Sequence, residues 1–145
     1  MPGILVGVDG SDHASQALEW AMKMAAALHL PLTVLTVHEV AASHWTGNPI
    51  VYPEDRTAQE ETRQAAEKAV AEVAGRLGPS SPDSVTVLSV SGNAARELIE
   101  ASRHADLVVV GSRGGGGFAS LMMGSTSSQV VHHAHCPVVV MPHDS

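Results

Sequence analysis

Five short apolar segments, rich in valine and separated by stretches of helical periodicity, constrain the fold of this chain more than any other feature. Near-continuous hydrophobicity over so few residues is typical of strands in a parallel sheet that is buried on both faces. Aromatic residues make up only 3% of the chain, so the core must be built mainly from aliphatic side chains. The segments cover residues 4–8, 32–37, 85–90, 107–110 and 138–141.

Helical periodicity fills the four intervals between these segments. Apolar stripes run through residues 14–28, 62–77 and 95–102, and a fourth begins near Ser125. Asn93 is placed to cap the third helix. The alternation predicts an α/β fold, a doubly wound five-stranded parallel sheet with helices on both faces. At 145 residues, without repeats or low-complexity linkers, the chain is expected to form one domain over residues 1–145.

Charge and cysteine content exclude several classes of function. The chain has 8 basic and 15 acidic residues and a formal net charge of -7, which disfavours nucleic acid as a partner because nucleic acid requires a basic surface. No apolar run approaches the roughly 20 residues of a membrane helix, and the N-terminus lacks the features of a signal peptide. The single cysteine, Cys136, excludes an intrachain disulfide. We therefore expect a cytoplasmic protein with no membrane partner.

A glycine-rich stretch after the fourth segment is the strongest indication of function. It reads GSRGGGGFASLMMGSTSSQ over residues 111–129 and links the carboxyl end of a predicted strand to the next helix. Ligands of open parallel sheets bind at that edge. Glycines let a ligand approach the backbone, and the segment from Gly124 to Ser127 combines hydroxyls with the amides of a helix N-terminus. This combination predicts an anion site.

Two common phosphate loops do not fit this stretch. The P-loop requires a lysine, and none lies here, while the dinucleotide fingerprint belongs after the first strand, where the chain reads GVDGSDHA. The hydrolase motif G-x-S-x-G is also absent. What remains is a G-x2-G-x9-G-S spacing formed by Gly111, Gly114, Gly124 and Ser125.

This spacing resembles the nucleotide-binding motif of the universal stress protein family, in the subclass that binds ATP. The blocks ILVGVDGS, HADLVVVGSRG and GSTSSQVVHHAHCPVVVMP are also similar to that family, and the likeness covers essentially the whole chain. The chain departs from the pattern at Gly115 and Gly116, where relatives commonly carry bulkier or charged residues. It departs again at Thr126, where an apolar residue is frequent.

The resemblance implies a strand order of 3-2-1-4-5 and a crevice between the first and fourth strands. Asp9 would bind ribose hydroxyls or a metal-bound water there, opposite Gly111. The backbone of Gly7 and Val8 would line the same wall, and the backbone of Val37 would read the adenine edge. The resemblance further implies that the phosphates are held by Gly114, Gly124, Ser125, Thr126 and Ser127, with Arg113 as the nearby cation.

The ligand implied by the resemblance is ATP. Amides and one guanidinium only poorly offset the charge of a triphosphate, so we expect Mg²⁺ to be bound with it, through ligands that the sequence does not identify. Asp9 or Ser11 would serve equally as the N-cap of the first helix. The segment 39–55 is predicted as a long connection, which either covers the ligand side in part or extends freely.

The histidines near the C-terminus, with Cys136, are a weaker candidate for a metal site. Neighbouring positions on a helix point in different directions, so His132, His133 and His135 are poorly placed to converge on one ion. Cys136 precedes a proline at the start of a strand and is expected to be a small core residue rather than a nucleophile. No catalytic residue is assigned.

Three functions of different classes fit these observations. The first is an ATP-binding stress-response protein that acts as a nucleotide-dependent sensor or regulatory module, with slow hydrolysis or autophosphorylation at most. The second is a protein-interaction module of the same fold without nucleotide, and the third is a carrier of flavin or another adenine cofactor. The family likeness also implies a homodimer through the uncharged strand Val138–Met141, since an exposed edge of this kind needs to be paired or covered. The alternative is a covering tail, for which only residues 143–145 remain. The sequence does not indicate a regulatory protein partner.

Overall fold

Strands and helices alternate along the chain in the computed structural model, which describes residues 3–8, 12–39, 53–111 and 125–142. The strands are β1 Ile4–Val8, β2 Leu32–Glu39, β3 Val85–Gly92, β4 Leu107–Gly111 and β5 Val138–Met141. The helices are α1 Asp12–Leu28, α2 Pro53–Leu77, α3 Ala94–Ala101 and α4 Ser125–His133. Short 3₁₀ turns follow α2 and α3 at Gly78–Ser80 and Ser102–His104.

All five strands belong to one parallel sheet in the order β3-β2-β1-β4-β5. The fold class and the strand order expected from the sequence are therefore confirmed. From β1 the chain adds β2 and β3 on one side, and then crosses over to add β4 and β5 on the other. The strand order consequently reverses its direction between β1 and β4, which are neighbours in the sheet.

Each face of the sheet carries its own hydrophobic core, because successive side chains of a strand point to opposite faces. On one face Ile4 and Val6 pack with buried side chains of α1, among them Leu18 and Met22. On the other face Leu5 packs with buried residues of α3, α4 and the strands. This burial on both faces explains why the strands read as continuous apolar runs rather than as alternating ones.

The predicted boundaries agree with the structure to within two residues, except at the start of α2, where the predicted apolar stripe begins at residue 62 and the helix begins at Pro53. β2 continues to Glu39 and α2 already begins at Pro53, which is favoured at a helix start because its fixed φ and its missing N–H both fit there. The connection between β2 and α2 is therefore shorter than predicted, and its residues 40–52 lie outside the described residues. Asn93 caps α3 as predicted, since its side chain accepts a hydrogen bond of 3.0 Å from the Arg96 N–H.

The C-terminus of α1 ends in an unfavourable backbone conformation. His29 has φ of 56°, the left-handed region that favours glycine. Its N–H donates to the Ala26 carbonyl at 3.3 Å, and the Leu30 N–H donates to the Ala25 carbonyl at 3.0 Å, as in a Schellman cap. A histidine thus occupies the position where most such caps carry glycine.

Replacing His29 with glycine is expected to raise the free energy of unfolding by roughly 0.5–1 kcal/mol, because glycine adopts positive φ without a steric penalty. Urea denaturation measures the change. Ala27→Gly is the matched control, since it places glycine inside the same helix and is expected to lower stability by about 1 kcal/mol. A His29→Gly variant less stable than the parent would show that the histidine side chain contributes more than its conformation costs.

Candidate functional site

The carboxyl ends of β1 and β4 lie side by side where the strand order reverses. Their register pairs Val6 with Val109, so that Val8 and Gly111 end the two strands at the same edge of the sheet. Both residues are half-buried, in contrast to the fully buried middle of these strands. In open α/β sheets a ligand binds at this place. Val8 and Gly111, which the sequence assigned to one crevice, are thus brought to one edge.

A step in the sheet borders this edge. Val8 is paired with Thr36, and β2 continues past that pair to Glu39 while it remains paired with β3. The last three residues of β2 therefore project beyond the last β1 residue that the structure describes. They form a side wall for any group bound above the end of β1.

Val37 lies in this projecting wall, and its backbone faces the crevice. The Ile4 N–H donates to the Pro31 carbonyl at 3.0 Å, which fixes the alternation of backbone directions between β1 and β2. The same alternation turns the N–H and C=O of Val37 toward the β1 side. This is the direction that the proposed reading of an adenine edge by the Val37 backbone requires.

Two helices begin at the same edge of the sheet. α1 starts at Asp12, after β1, and α4 starts at Ser125, after β4. The first four N–H groups of a helix have no partner within that helix, and this end carries a partial positive charge. The structure therefore directs two helix N-termini to the side of the sheet where an anionic ligand would lie.

The first turn of α4 presents two different polar residues. Ser127 is only 3% exposed, whereas Thr126 is half-buried. One turn later Val130 is completely buried in the core between α4 and the sheet, and it sets the rotation of the helix. Because Ser127 faces inward, we expect its backbone N–H, rather than an exposed hydroxyl, to be its contribution to an anion.

Gly7 has a packing role that the sequence did not reveal. A Cβ atom at this position would lie 3.0 Å from both Cδ atoms of Leu98, a buried residue of α3. The φ of Gly7 is not in the left-handed region, so it is the limited space beside Leu98, and not the backbone conformation, that favours glycine here. No local pattern relates position 7 to position 98, which explains why sequence reasoning assigned Gly7 to the ligand alone.

Most of the remaining predicted site residues lie in segments that the structure does not describe. Asp9, Arg113, Gly114 and Gly124 lie outside the described residues, and Ser125 is the first residue of α4. Their roles remain predictions. The described residues that the structure does bring to the ligand edge are Gly7, Val8, Val37, Gly111, Thr126 and Ser127.

The C-terminal histidines do not form a metal centre in the part of the chain that the structure describes, where no three His, Cys, Asp or Glu side chains converge. The rings of His132 and His133 stand 6.4 Å apart at an angle of 61°.

Burial, followed by the negative charge of Asp106, raises the pKa of the Cys136 thiol. This thiol is therefore protonated near neutral pH and is a poor nucleophile. Within the described ranges, no helix is long and apolar enough to cross a membrane.

Comparison with known proteins identifies the relatives of this chain. A model of the universal stress protein family matches residues 2–142. A universal stress protein of Mycolicibacterium smegmatis is 37% identical over 142 residues, and the match covers 98% of this chain but 48% of that protein. A universal stress protein of Mycobacterium tuberculosis, Rv2005c, is 38% identical over 144 residues with the same coverage. The chain thus spans about half the length of these two relatives.

Solved structures of the same family share the fold. The universal stress protein UspA from Lactobacillus plantarum has a TM-score of 0.78 and 27% identity, with 97% of each chain covered. A universal stress protein in complex with cAMP has a TM-score of 0.66 and 24% identity, covering 97% of this chain and 96% of that one. The protein from Archaeoglobus fulgidus in complex with dAMP has a TM-score of 0.64 and 20% identity, with 97% of each chain covered.

Proposed function

The chain belongs to the universal stress protein family, and from this premise we propose that it binds an adenine nucleotide, ATP in particular, at the carboxyl ends of β1 and β4. The observation that carries the proposal is the reversal of strand order between β1 and β4, with α4 beginning at that edge. The G-x2-G-x9-G-S spacing spans the connection between β4 and α4. Fold neighbours in complex with cAMP and dAMP support the class of ligand.

In the proposed complex the adenine lies against the β2 wall, where the backbone of Val37 faces the β1 side. Asp9 binds the ribose, and the backbone near Gly7 and Val8 lines the crevice. The phosphates lie toward the start of α4, where the dipole and the amide end of the helix favour negative charge. They are held by Gly114, Gly124, Ser125, Thr126 and Ser127, with Arg113 and Mg²⁺ offsetting the triphosphate charge, while Gly111 lies across the crevice from Asp9.

The protein acts, in this proposal, as a nucleotide-dependent sensor or regulatory module in the cytoplasm rather than as a fast enzyme. The described residues at the ligand edge are apolar, glycine, threonine or serine, and none of them is a general base. Catalysis therefore has no evident proton acceptor among them. Slow hydrolysis or autophosphorylation remains compatible with this arrangement, because both need little beyond positioning of the phosphates.

A homodimer through β5 is part of the proposal. β5 ends the sheet beside β4, and its four residues, Val138–Met141, are uncharged and half-buried. An apolar edge strand without charge is a template for pairing with another chain, and a second copy would pair it across a two-fold axis. Sedimentation of the purified protein measures this stoichiometry, and a monomer at all concentrations would contradict it.

ATP with Mg²⁺ is expected to stabilise the protein by about 2.7 kcal/mol at a concentration of roughly 100 times the dissociation constant. For a chain of this size the gain corresponds to a rise in melting temperature of roughly 8 °C. Differential scanning fluorimetry measures the shift, with GTP as the comparison nucleotide. AMP and cAMP, tested alongside ATP, identify which adenine nucleotide is preferred, and EDTA tests the contribution of Mg²⁺.

The variant Gly114→Ala/Gly124→Ala is expected to lose this shift and to keep its far-UV circular dichroism spectrum. Gly115→Ala/Gly116→Ala is the matched control, because it alters glycines of the same stretch that lie outside the G-x2-G-x9-G-S spacing. An unchanged melting temperature with every nucleotide would favour the interaction module of the same fold. Visible absorbance of the purified protein would favour the flavin carrier.

A further inference from the structure

The β3 edge of the sheet has none of the usual protection in its own sequence. β3 is the terminal strand next to β2, and its eight residues, VTVLSVSG, include neither a charge nor a proline. Exposed edges of this kind pair with other chains unless charges, prolines or covering groups prevent it. Leu88, which is 47% exposed, adds an apolar side chain to the same strand. The edge therefore requires protection from another element.

Every second residue of β3 directs its backbone groups away from β2. The Leu32 N–H donates to the Ser84 carbonyl at 2.9 Å, which turns the even-numbered residues of β3 toward β2. The odd-numbered residues consequently face away from β2, on the side where no further described strand lies. They form an outward row of Val85, Val87, Ser89 and Ser91.

Gln59 of α2 occupies the carboxyl half of this row. Its side-chain Nε2 donates to the Ser89 carbonyl at 2.7 Å, the outward group that a neighbouring strand would otherwise bind. The Ser91 Oγ donates to the Gln59 Oε1 at 2.7 Å, and the Ser89 Oγ donates to the Gln59 backbone carbonyl at 2.9 Å. The side-chain amide thus takes the place of a strand partner, and two serine hydroxyls hold it there.

We propose that Gln59, together with Ser89 and Ser91, forms an edge lock that prevents β3 from pairing with a second copy of the chain. Gln59 occupies the outward carbonyl of Ser89 and, through Ser91, lies along the carboxyl half of the row, so a second strand could not pair along the full length of β3 without displacing it. The lock leaves β5 as the open edge of the five described strands.

The lock has a consequence for assembly. A chain with one self-pairing edge forms a closed dimer, whereas a chain with two such edges forms open-ended assemblies. By closing β3, Gln59 restricts association to β5. Whether the parent protein is a monomer or a dimer depends on the proposed pairing through β5. The lock on β3 does not depend on that pairing.

Removing the lock is expected to produce self-association that depends on concentration. We compare Gln59→Ala and Gln59→Met with the parent and with Gln64→Ala, an exposed position on the same helix. Gln59→Met keeps the length and helix propensity of the side chain but removes its hydrogen bonds. In sedimentation velocity experiments over a concentration series, both Gln59 variants are expected to reach at least about twice the weight-average mass of the parent. The Gln64→Ala variant is expected to match the parent.

A second substitution tests whether the new contact is made by β3. Thr86 is exposed on that strand, and lysine there is a charge of the type that protects natural edges. Gln59→Met/Thr86→Lys is therefore expected to return to the mass of the parent. Larger species that persist in this double variant would place the contact elsewhere and overturn the proposal.

The outcomes separate the lock from the proposed dimer. A monomeric parent with dimeric Gln59 variants supports the lock and contradicts the β5 dimer. A dimeric parent with Gln59 variants of unchanged mass overturns the lock and leaves the β5 dimer standing. Loss of the circular dichroism signal in both Gln59 variants also overturns the lock, because the contact would then be essential for folding rather than for control of pairing.

Discussion

Replacing Gly7 with valine is expected to lower the free energy of unfolding by about 3 kcal/mol, the upper part of the range for overpacking a well-filled core. An added Cβ alone would stand 3.0 Å from two carbon atoms of Leu98. The two further methyl groups of valine need additional space beside this buried side chain, which we expect to be made at the expense of the packing between β1 and α3. Because the φ of Gly7 is unexceptional, the loss comes from packing and not from backbone strain. A melting temperature lower by roughly 10 °C is the expected measurement.

A double variant distinguishes packing from ligand contact at Gly7. Leu98→Ala alone is expected to cost about 2–5 kcal/mol, because it leaves a cavity at a residue that is 4% exposed. In Gly7→Ala/Leu98→Ala the new methyl group occupies part of that cavity. The double variant should therefore lose about 1 kcal/mol less stability than the sum of the losses in Gly7→Ala and Leu98→Ala. Strict additivity would contradict the packing role. Loss of the ATP shift in this double variant would show that the nucleotide also approaches Gly7.

Replacing Gly3 with alanine is the second change with a large expected effect. Gly3 has φ of 153°, and a Cβ there would lie 2.5 Å from the Pro31 carbonyl oxygen, a backbone atom that cannot rotate away. That oxygen accepts from the Ile4 N–H at 3.0 Å, and the Gly3 carbonyl accepts from the Asp106 N–H at 2.8 Å. Strain and weakened hydrogen bonds together predict a loss of about 3 kcal/mol, measurable by chemical denaturation.

Gly75→Ala is the matched control for Gly3→Ala. Gly75 lies inside α2, is exposed, and would have no atom within 4 Å of an added Cβ. Alanine there is expected to raise stability by roughly 0.5–1 kcal/mol, because it removes the entropic penalty of glycine in a helix. Replacing glycine with alanine is thus expected to lower the free energy of unfolding at position 3 and to raise it at position 75. Equal effects at both positions would contradict the steric explanation for Gly3.

Both large effects concern β1, the central strand that carries the candidate site. Gly3 ties the amino end of β1 to the residues that precede β2 and β4, and Gly7 sets the distance between its carboxyl end and α3. A displacement of this strand would move Val8 relative to the wall that contains Val37. Stability and nucleotide affinity should therefore be measured together on every β1 variant.

Much of the fold was determined by the sequence on its own. The five apolar segments, the cap at Asn93 and the start of α4 at Ser125 all depend on residues that are close in the chain, where propensity and periodicity act directly. Family likeness added the strand order and an expected ligand edge between β1 and β4. The strand order is confirmed, whereas the phosphate-binding roles of Gly114, Gly124 and their neighbours remain predictions.

The tertiary structure alone decided how these elements meet. The contact between Gly7 and Leu98, the projection of β2 beyond β1, and the bonds of Gln59 to β3 each join positions that are distant in sequence. None of these contacts has a local signature in the sequence. At position 7, for example, a glycine that makes room for a neighbour and a glycine that admits a ligand look identical. Long-range packing, register and edge protection are properties of pairs of elements, and they take effect only once the elements have assembled.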